Sequence, residues 1–106
     1  MFSINGNTIE ITRGDTGEFD IALNNIDGTP YEPQEGDIIT FTVKKGTQEK
    51  EILIQKTGQH IEIKPDDTKN LQYGVYKYDI QVTFANGKVC TVVTPSDFKI
   101  KDEVTF

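Results

Sequence analysis

Few side chains in this sequence could serve as a nucleophile or a general base. The chain has one histidine, His60, one cysteine, Cys90, and two serines, Ser3 and Ser96. A Ser-His-Asp triad needs a base placed against a nucleophile and oriented by a carboxylate, and neither serine has the sequence context of such a nucleophile. We expect His60 to be a structural or solvent-facing residue in a turn. We expect Cys90 to be an inert, buried thiol in a β-branched strand.

Adjacent carboxylates are the one catalytic arrangement that the composition leaves open. Two such pairs occur, Asp66-Asp67 and Asp102-Glu103. In glycosidases the two carboxylates usually come from separate elements and flank a cleft, which neighbouring residues cannot do. We therefore expect Asp66 and Asp67 to cap the turn that follows them.

Metal and phosphate sites also lack the residues they need. A lone cysteine and a lone histidine do not make a structural zinc site. An acidic loop could bind calcium, but the spacing of an EF-hand loop is missing. There is no phosphate-binding glycine loop of either common type. The sequence predicts no catalytic residue, no cofactor and no metal ligand.

The tripeptide Arg13-Gly14-Asp15 spells an integrin-recognition motif. It falls between two expected strands, where glycine permits a turn and aspartate can cap it. We interpret the tripeptide as turn chemistry rather than as an adhesion site.

The tyrosines are the most informative aromatic residues. In an Ig-like sandwich, a tyrosine near the start of the sixth strand often bonds back to upstream backbone, forming a tyrosine corner. Tyr76 is our candidate for that role, and Tyr78 then stands where an Ig domain carries its second cysteine. Tyr31 and Tyr73 lie in expected loops, where their rings could stack on a ligand.

Alternation of apolar and polar residues dominates the chain and must position these side chains. The longest run places an apolar residue at every second position from 76 to 84. Such alternation puts one set of side chains on a buried face and the other in water. The expected strands cover residues 8–12, 18–24, 37–44, 51–56, 60–64, 74–84, 88–94 and 97–101. This pattern predicts an all-β fold, an Ig-like antiparallel β-sandwich of about seven to eight strands, as a single domain over residues 1–106.

Turn-forming residues separate these runs. Asn86-Gly87 gives the strongest hairpin signal in the chain. Residues 27–35 form a longer loop whose two prolines cannot donate to a central ladder. Residues 65–71 are expected to form one short helical turn.

The net charge and the cysteine content of the chain limit the kinds of partner and of stabilisation that we expect. The formal net charge is -6 and the pI is about 4.6. An acidic balance argues against binding nucleic acid or anionic membranes. The first residues lack the basic and apolar regions of a signal peptide, so we expect no secretory signal. A single cysteine allows no intrachain disulfide, so packing must hold the sheets together.

Several segments resemble a known group of domains. They are residues 11–16 (Ile-Thr-Arg-Gly-Asp-Thr), residues 36–44, residues 71–79 and the closing Phe98-Lys99-Ile100. These segments are similar to small Ig-like domains encoded by phages and prophages of Gram-positive bacteria, nearest to the N-terminal domain of baseplate upper proteins. The resemblance covers most of the chain through turn-and-strand motifs. It implies an assembly module that is made in the bacterial cytoplasm and becomes a virion component.

Two kinds of function follow from these observations. The first is a non-catalytic structural module of a tail or baseplate, binding itself or other virion proteins through strand edges or an apolar patch, with homo-oligomers as one form. The second is a glycan-binding β-sandwich that uses Tyr31 or Tyr73. An enzyme is the weakest alternative, because function depends on a site and not on the sandwich itself.

Overall fold

The computed structural model describes residues 2–25 and 27–102. The chain is mostly strand, so the all-β prediction is confirmed. Its elements follow in the order β1 (Phe2–Asn5), β2 (Thr8–Thr12), β3 (Gly17–Asp20), β4 (Ile38–Lys44), β5 (Ile54–Thr57), β6 (His60–Ile63), α1 (Pro65–Thr68), β7 (Gly74–Thr83) and β8 (Val89–Lys101).

Two sheets form the layers of the sandwich. The larger is six-stranded in the order β1-β2-β8-β7-β4-β5, and the smaller pairs β3 with β6. Placing β3 and β6 in one sheet and β4, β7 and β8 side by side in the other follows the strand distribution of Ig domains. The sandwich prediction is therefore confirmed in its layers and in its chain order.

The expected antiparallel pairing needs one correction. The larger sheet is mixed, because β2 runs parallel to β8 with Ile9 opposite Phe98 and Ile11 opposite Ile100. Parallel neighbours require a long crossover between them. Here almost the whole domain lies between β2 and β8 in sequence and supplies that crossover.

The core lies between the two sheets and is centred on Phe41. This side chain is 0% exposed. Its ring lies 5.5 Å from the ring of Phe19 on the smaller sheet, at an interplanar angle of 77°. On its own sheet it lies 5.4 Å from Tyr78 and 6.2 Å from Phe98. Edge-on and tilted aromatic contacts of this kind add to the burial of apolar surface, so these rings tie the two layers together.

The strand boundaries differ from the sequence prediction at both ends of the chain and within it, where β3 ends at Asp20 and not at residue 24, and β5 begins at Ile54 and not at residue 51. β1 was not expected; it exists because Phe2 packs over Gly17 and stacks on Phe19 with ring centroids 6.1 Å apart. The two strands expected over 88–94 and 97–101 are one strand, β8. Two register shifts in its pairing with β7 absorb the extra residues as β-bulges.

The turn predictions near β7 agree with the structure. Phe84 donates its backbone N–H to Lys88 across the Asn86-Gly87 turn at 2.8 Å. The helical turn expected over 65–71 is α1. Asp66 and Asp67 lie inside α1 and not before it, so the expected capping holds for one of them only: the carboxylate of Asp67 accepts the backbone N–H of Lys64 at 2.8 Å. Asp66 instead forms an ion pair with Lys69 at 3.0 Å.

Candidate functional site

The six-stranded sheet buries one face in the core and turns the other to solvent. Buried and outer residues alternate along β4 and along β7 from Val75 onward. Directly paired residues on neighbouring strands share a face. The register therefore shows which outer side chains lie side by side: Ile38 is opposite Thr83, Thr40 opposite Gln81, and Thr42 opposite Asp79.

One end of this outer face carries no charge. We call it the uncharged field, and it spans β5, β4, β7 and the first part of β8. Its members are apolar, hydroxyl or amide side chains only, and they are Ile38, Thr40, Thr42, Gln55, Thr57, Gln81, Thr83, Val89 and Thr91.

The uncharged field contains two exposed apolar side chains. Ile38 is 51% exposed and Val89 is 59% exposed. They lie on either side of Thr83 in the register, so they form one patch rather than two isolated residues. Weak hydrogen bonds link some of the polar members, with 3.3 Å between Gln55 Nε2 and Thr42 Oγ1.

The other end of the same face is densely charged. We call it the charged end, and it consists of Glu10, Lys44, Lys77, Asp79, Asp97, Lys99 and Lys101. Lys77 forms an ion pair with Asp97, which holds the pKa of that carboxyl below its usual range. Glu10 lies 3.7 Å from Lys101 and 4.0 Å from Lys99. Most of these charged side chains therefore lie close to an opposite charge within the sheet.

A shallow groove of about 250 Å³ marks the boundary between the two ends. It is lined by Thr42, Gln55 and Gln81 of the uncharged field and by Lys44, Lys77 and Asp79 of the charged end. Ile52, from the segment that joins β4 to β5, and Pro95, from β8, add apolar surface to its lining. Ile52 is 49% exposed. The groove therefore presents hydrogen-bonding groups beside apolar side chains.

The first part of β8 borders the uncharged field as an open strand edge. Within the described residues, β2 pairs with β8 only from Phe98 onward, so the preceding part of β8 pairs with β7 alone. This stretch contains both β-bulges and Pro95. Bulges and prolines disturb the regular row of donors and acceptors that another strand would need.

Tyr76 and Tyr78 are structural parts of the large sheet. The hydroxyl of Tyr76 donates to the carbonyl of Gln72 at 2.5 Å, four residues upstream, which is the contact that a tyrosine corner makes. Tyr78 is 5% exposed and its hydroxyl donates to the carbonyl of Asn7. Burial raises the pKa of Tyr78. Both side chains belong to the packing of the domain.

Tyr31 and Tyr73, the expected stacking residues, lie at opposite ends of β7. Tyr31 packs edge-on against Phe84, just after the strand, with 5.9 Å between ring centroids. Tyr73 immediately precedes the strand. A ten-residue strand is about 33 Å long. The structure therefore does not bring the two rings to one ligand.

The two tyrosines also differ in their surroundings. The hydroxyl of Tyr31 donates to Asp37 at 2.5 Å, which raises the pKa of Tyr31 and lowers that of Asp37. Tyr73 is 54% exposed, and the guanidinium of Arg13 lies 5.3 Å from its ring centroid. A depression of about 230 Å³ beside Tyr73 includes Lys99 and Lys101. Ligand stacking by either ring stays a prediction.

The Arg13-Gly14-Asp15 tripeptide forms the turn after β2. Gly14 has a φ of 85°, a conformation that favours glycine. Its N–H donates to the hydroxyl of buried Thr68 at 2.9 Å. Arg13 donates its backbone N–H to Lys101 at 3.0 Å. The tripeptide thus fastens the turn to α1 and β8, as its interpretation as turn chemistry predicts.

The residues considered for catalysis lie apart from one another. His60 is in β6, not in a turn, and its Nδ1 is 2.7 Å from Asp20 Oδ1, which raises the pKa of His60. The prediction of a buried thiol for Cys90 is wrong: the side chain is exposed, because β8 at this position pairs with β7 alone among the strands that the structure describes. Glu103 lies outside the described residues, so the Asp102-Glu103 pair has no structural account.

Comparisons with protein-family models and with curated proteins do not assign this surface to a known family. No protein-family model matches the chain, and no curated protein matches it. Within the described residues, no group of three or more acidic, histidine or cysteine side chains could hold a metal ion. In the same part of the chain, no helix has the length and apolar character needed to cross a bilayer.

Sequence reasoning missed the uncharged field. Its signal was nevertheless present, since the residues that alternate with the core positions of β4 are Ile38, Thr40 and Thr42. What the sequence lacked was the register that sets these side chains beside Gln81 and Thr91. The surface becomes visible only when the strands are placed side by side.

Proposed function

We propose that this domain is a non-catalytic structural or assembly module of a phage or prophage virion, associated with the tail or baseplate. It acts through protein–protein contacts made by the uncharged field. The observation that carries this proposal is the absence of charge across the field, combined with the exposure of Ile38 and Val89.

The composition of the whole chain makes the uncharged field unusual. Charged residues form 26% of the sequence, and the net charge is -6. A surface region spanning four strands would ordinarily share in that charge. The central parts of protein interfaces are depleted in charged side chains, because desolvating a charge is costly. The uncharged field has this property, and the charged end does not.

A contact through the face of the sheet is favoured over a contact through the open edge of β8. The open edge of β8 is interrupted by two β-bulges and by Pro95. Proteins use these features to prevent strand addition at exposed edges. The uncharged field has a regular register across β4 and β7, so it offers a defined surface to a partner.

The virion setting rests on the resemblance to phage Ig-like domains. The segments that carry it correspond to β2 and its following turn, to β4, to the entry into β7 and to the end of β8. These segments build the layers, and the second of them also contains Ile38, Thr40 and Thr42 of the uncharged field. The resemblance therefore includes part of the proposed contact surface.

Position-specific photocrosslinking tests the proposed surface. Val89 and Val75 lie on the same face of the same sheet and are 59% and 56% exposed, so they form a matched pair. Each is replaced in turn by p-benzoylphenylalanine, and the chain is coexpressed with the proteins encoded beside its gene. We expect defined adducts, identified by mass spectrometry, from position 89 and not from position 75. Equal adduct formation at both positions, or none at position 89, would overturn the proposal.

Glycan binding is the second candidate function, and the exposure of Tyr73 favours it. An exposed ring beside a depression lined by Lys99 and Lys101 could stack on a sugar that carries negative charge. A glycan array with the Tyr73→Ala variant tests this function, with Tyr31→Ala as the control because Tyr31 lies at the other end of β7. Binding that survives in Tyr73→Ala, or no binding by the unaltered domain, would exclude this function at Tyr73.

A further inference from the structure

We propose that the partner of the uncharged field is a second copy of this chain, packed face to face about a two-fold axis. This inference rests on the proposed function, because it names the occupant of the same surface. Three properties of the uncharged field support it: its hydrogen-bonding chemistry, its lack of charge in an acidic chain, and its position at one end of the sheet.

The polar members of the uncharged field are chemically complementary to themselves. They are threonines and glutamines only. A hydroxyl group both donates and accepts hydrogen bonds, and so does a carboxamide. In a two-fold contact the same patch supplies both surfaces, so each group must pair with groups of the same kind. A patch of donors alone or acceptors alone could not do this, whereas this one can.

The charge of the chain restricts where a second copy can pack. Two copies with a net charge of -6 repel each other over most of their surfaces. A two-fold contact at the charged end would in addition have to desolvate charges of both signs, such as Lys77 and Asp97. The uncharged field is the part of the outer face where two copies meet without that cost. Packing over the field alone leaves both charged ends in solvent.

The size of the uncharged field predicts a weak association. Its members cover four neighbouring strands and the length from Ile38 to Thr42, which is roughly 14 Å by 14 Å. The planar area is therefore about 200 Å², compared with roughly 800 Å² per partner in a stable interface. We expect a reversible dimer that forms at high concentration. An assembly that holds several copies close together would supply that concentration.

Opposite charges placed at the centre of the uncharged field test this inference. Gln81 is central, pairing with Thr40 on one side and Thr91 on the other. The variants Gln81→Lys and Gln81→Glu are examined separately and as an equimolar mixture, by sedimentation equilibrium between about 20 µM and about 1 mM. Val75→Lys is the control, since it adds the same charge at the other end of β7. Thermal unfolding checks that each variant folds.

The expected pattern is specific to a contact of the field with itself. The unaltered chain and Val75→Lys dimerise, each Gln81 variant alone stays monomeric, and the mixture dimerises again. A monomeric unaltered chain at the highest concentration would overturn the inference, and so would a mixture that stays monomeric. If the photocrosslinks at position 89 then lead to a different protein, the proposed function stands and only the second copy is excluded.

Discussion

The uncharged field and the charged end lie on one face of one sheet, over the same core, and differ only in their outer side chains. Most residues of the charged end have an opposite charge nearby, as in the pairs of Glu10 with Lys101 and of Lys77 with Asp97. The uncharged field exposes β-branched and amide side chains instead. Because the two ends share strands and layers, the fold does not require this difference. On the proposed function, it reflects what each end contacts.

The two ends also indicate that folding stability and association depend on different residues. Surface ion pairs contribute little to folding free energy. Exposed threonines and valines suit a strand but bury little surface in the isolated domain. Neither end should therefore influence stability strongly, and the core beneath both should dominate it. The predictions below begin with the core and end with the surface.

The largest effect should come from removing the core that both ends share. Phe41→Ala deletes a ring that is 0% exposed and contacts Phe19, Tyr78 and Phe98. We expect the free energy of unfolding to fall by about 3–5 kcal/mol, because the buried ring leaves a cavity between the sheets. Denaturant unfolding measures this loss. A loss as small as that of a surface substitution would contradict the central position of Phe41.

A smaller effect should follow from breaking the tyrosine corner beneath the charged end. Tyr76→Phe removes the hydroxyl that donates to Gln72 and keeps the buried ring. We expect the free energy of unfolding to fall by about 1 kcal/mol, the usual contribution of one hydrogen bond. Dimer formation through the uncharged field should be unchanged, because Tyr76 lies on the inner face. Weakened dimerisation in a folded Tyr76→Phe variant would mean that the two ends are coupled.

Salt should distinguish a contact at the uncharged field from one at the charged end. A neutral contact between two acidic chains improves when salt screens their repulsion. We expect dimerisation to strengthen modestly as the salt concentration rises. A contact that depended on Lys77, Asp97 or their neighbours would weaken instead. Sedimentation equilibrium at low and high salt gives the sign directly, and a clear weakening would move the interface to the charged end.

The smallest effect should be the pH dependence of a pair that belongs to neither end. His60 and Asp20 join β6 to β3 on the smaller sheet. The Asp20 carboxylate raises the pKa of His60 above its ordinary value of 6.5, so the folded state favours the charged imidazole. Its stabilising contribution is complete below pH 6.5 and is lost as the pH rises through the higher folded pKa.

Proton NMR titration measures the pKa of His60 directly. The Asp20→Asn variant should lower it towards the ordinary value and should leave dimerisation unchanged. A His60 pKa that does not respond to this substitution would show that the pair does not form in solution.

Alternation along the sequence was sufficient to predict most strands, because each strand has one face in the core. The same signal could not predict that β8 continues through Pro95. Proline lacks an N–H group, but it is tolerated at a bulge where the strand has a neighbour on one side only. β1 was missed because its stacking of Phe2 on Phe19 depends on a contact between strands. Long-range pairing, not local pattern, decided both cases.

The candidate site was harder to predict than the fold. A threonine on an outer face looks the same in sequence whether its neighbour across the strand is another threonine or a lysine. Thr40 belongs to an uncharged surface because it lies opposite Gln81, which is distant in sequence. The sequence also could not predict the exposure of Cys90. Its alternation places Cys90 on the inner face, but in the described part of the chain β2 pairs with β8 only from Phe98 onward. The burial of most strand residues can be predicted from local alternation. Which side chains lie together on a surface depends on the register between strands.

The parallel pairing of β2 with β8 determines how the domain would respond to a mechanical pull. A force transmitted through the chain on either side of the domain draws the start of β2 and the end of β8 in opposite directions. In a parallel pair this force acts along the strands, in shear, on all the hydrogen bonds from Ile9 to Thr12 at once. These bonds must therefore break together for the strands to separate. The antiparallel β1–β2 pair would instead open one bond at a time from its free end. Once the first strand has peeled away, the β2–β8 pair would therefore resist tension along the chain.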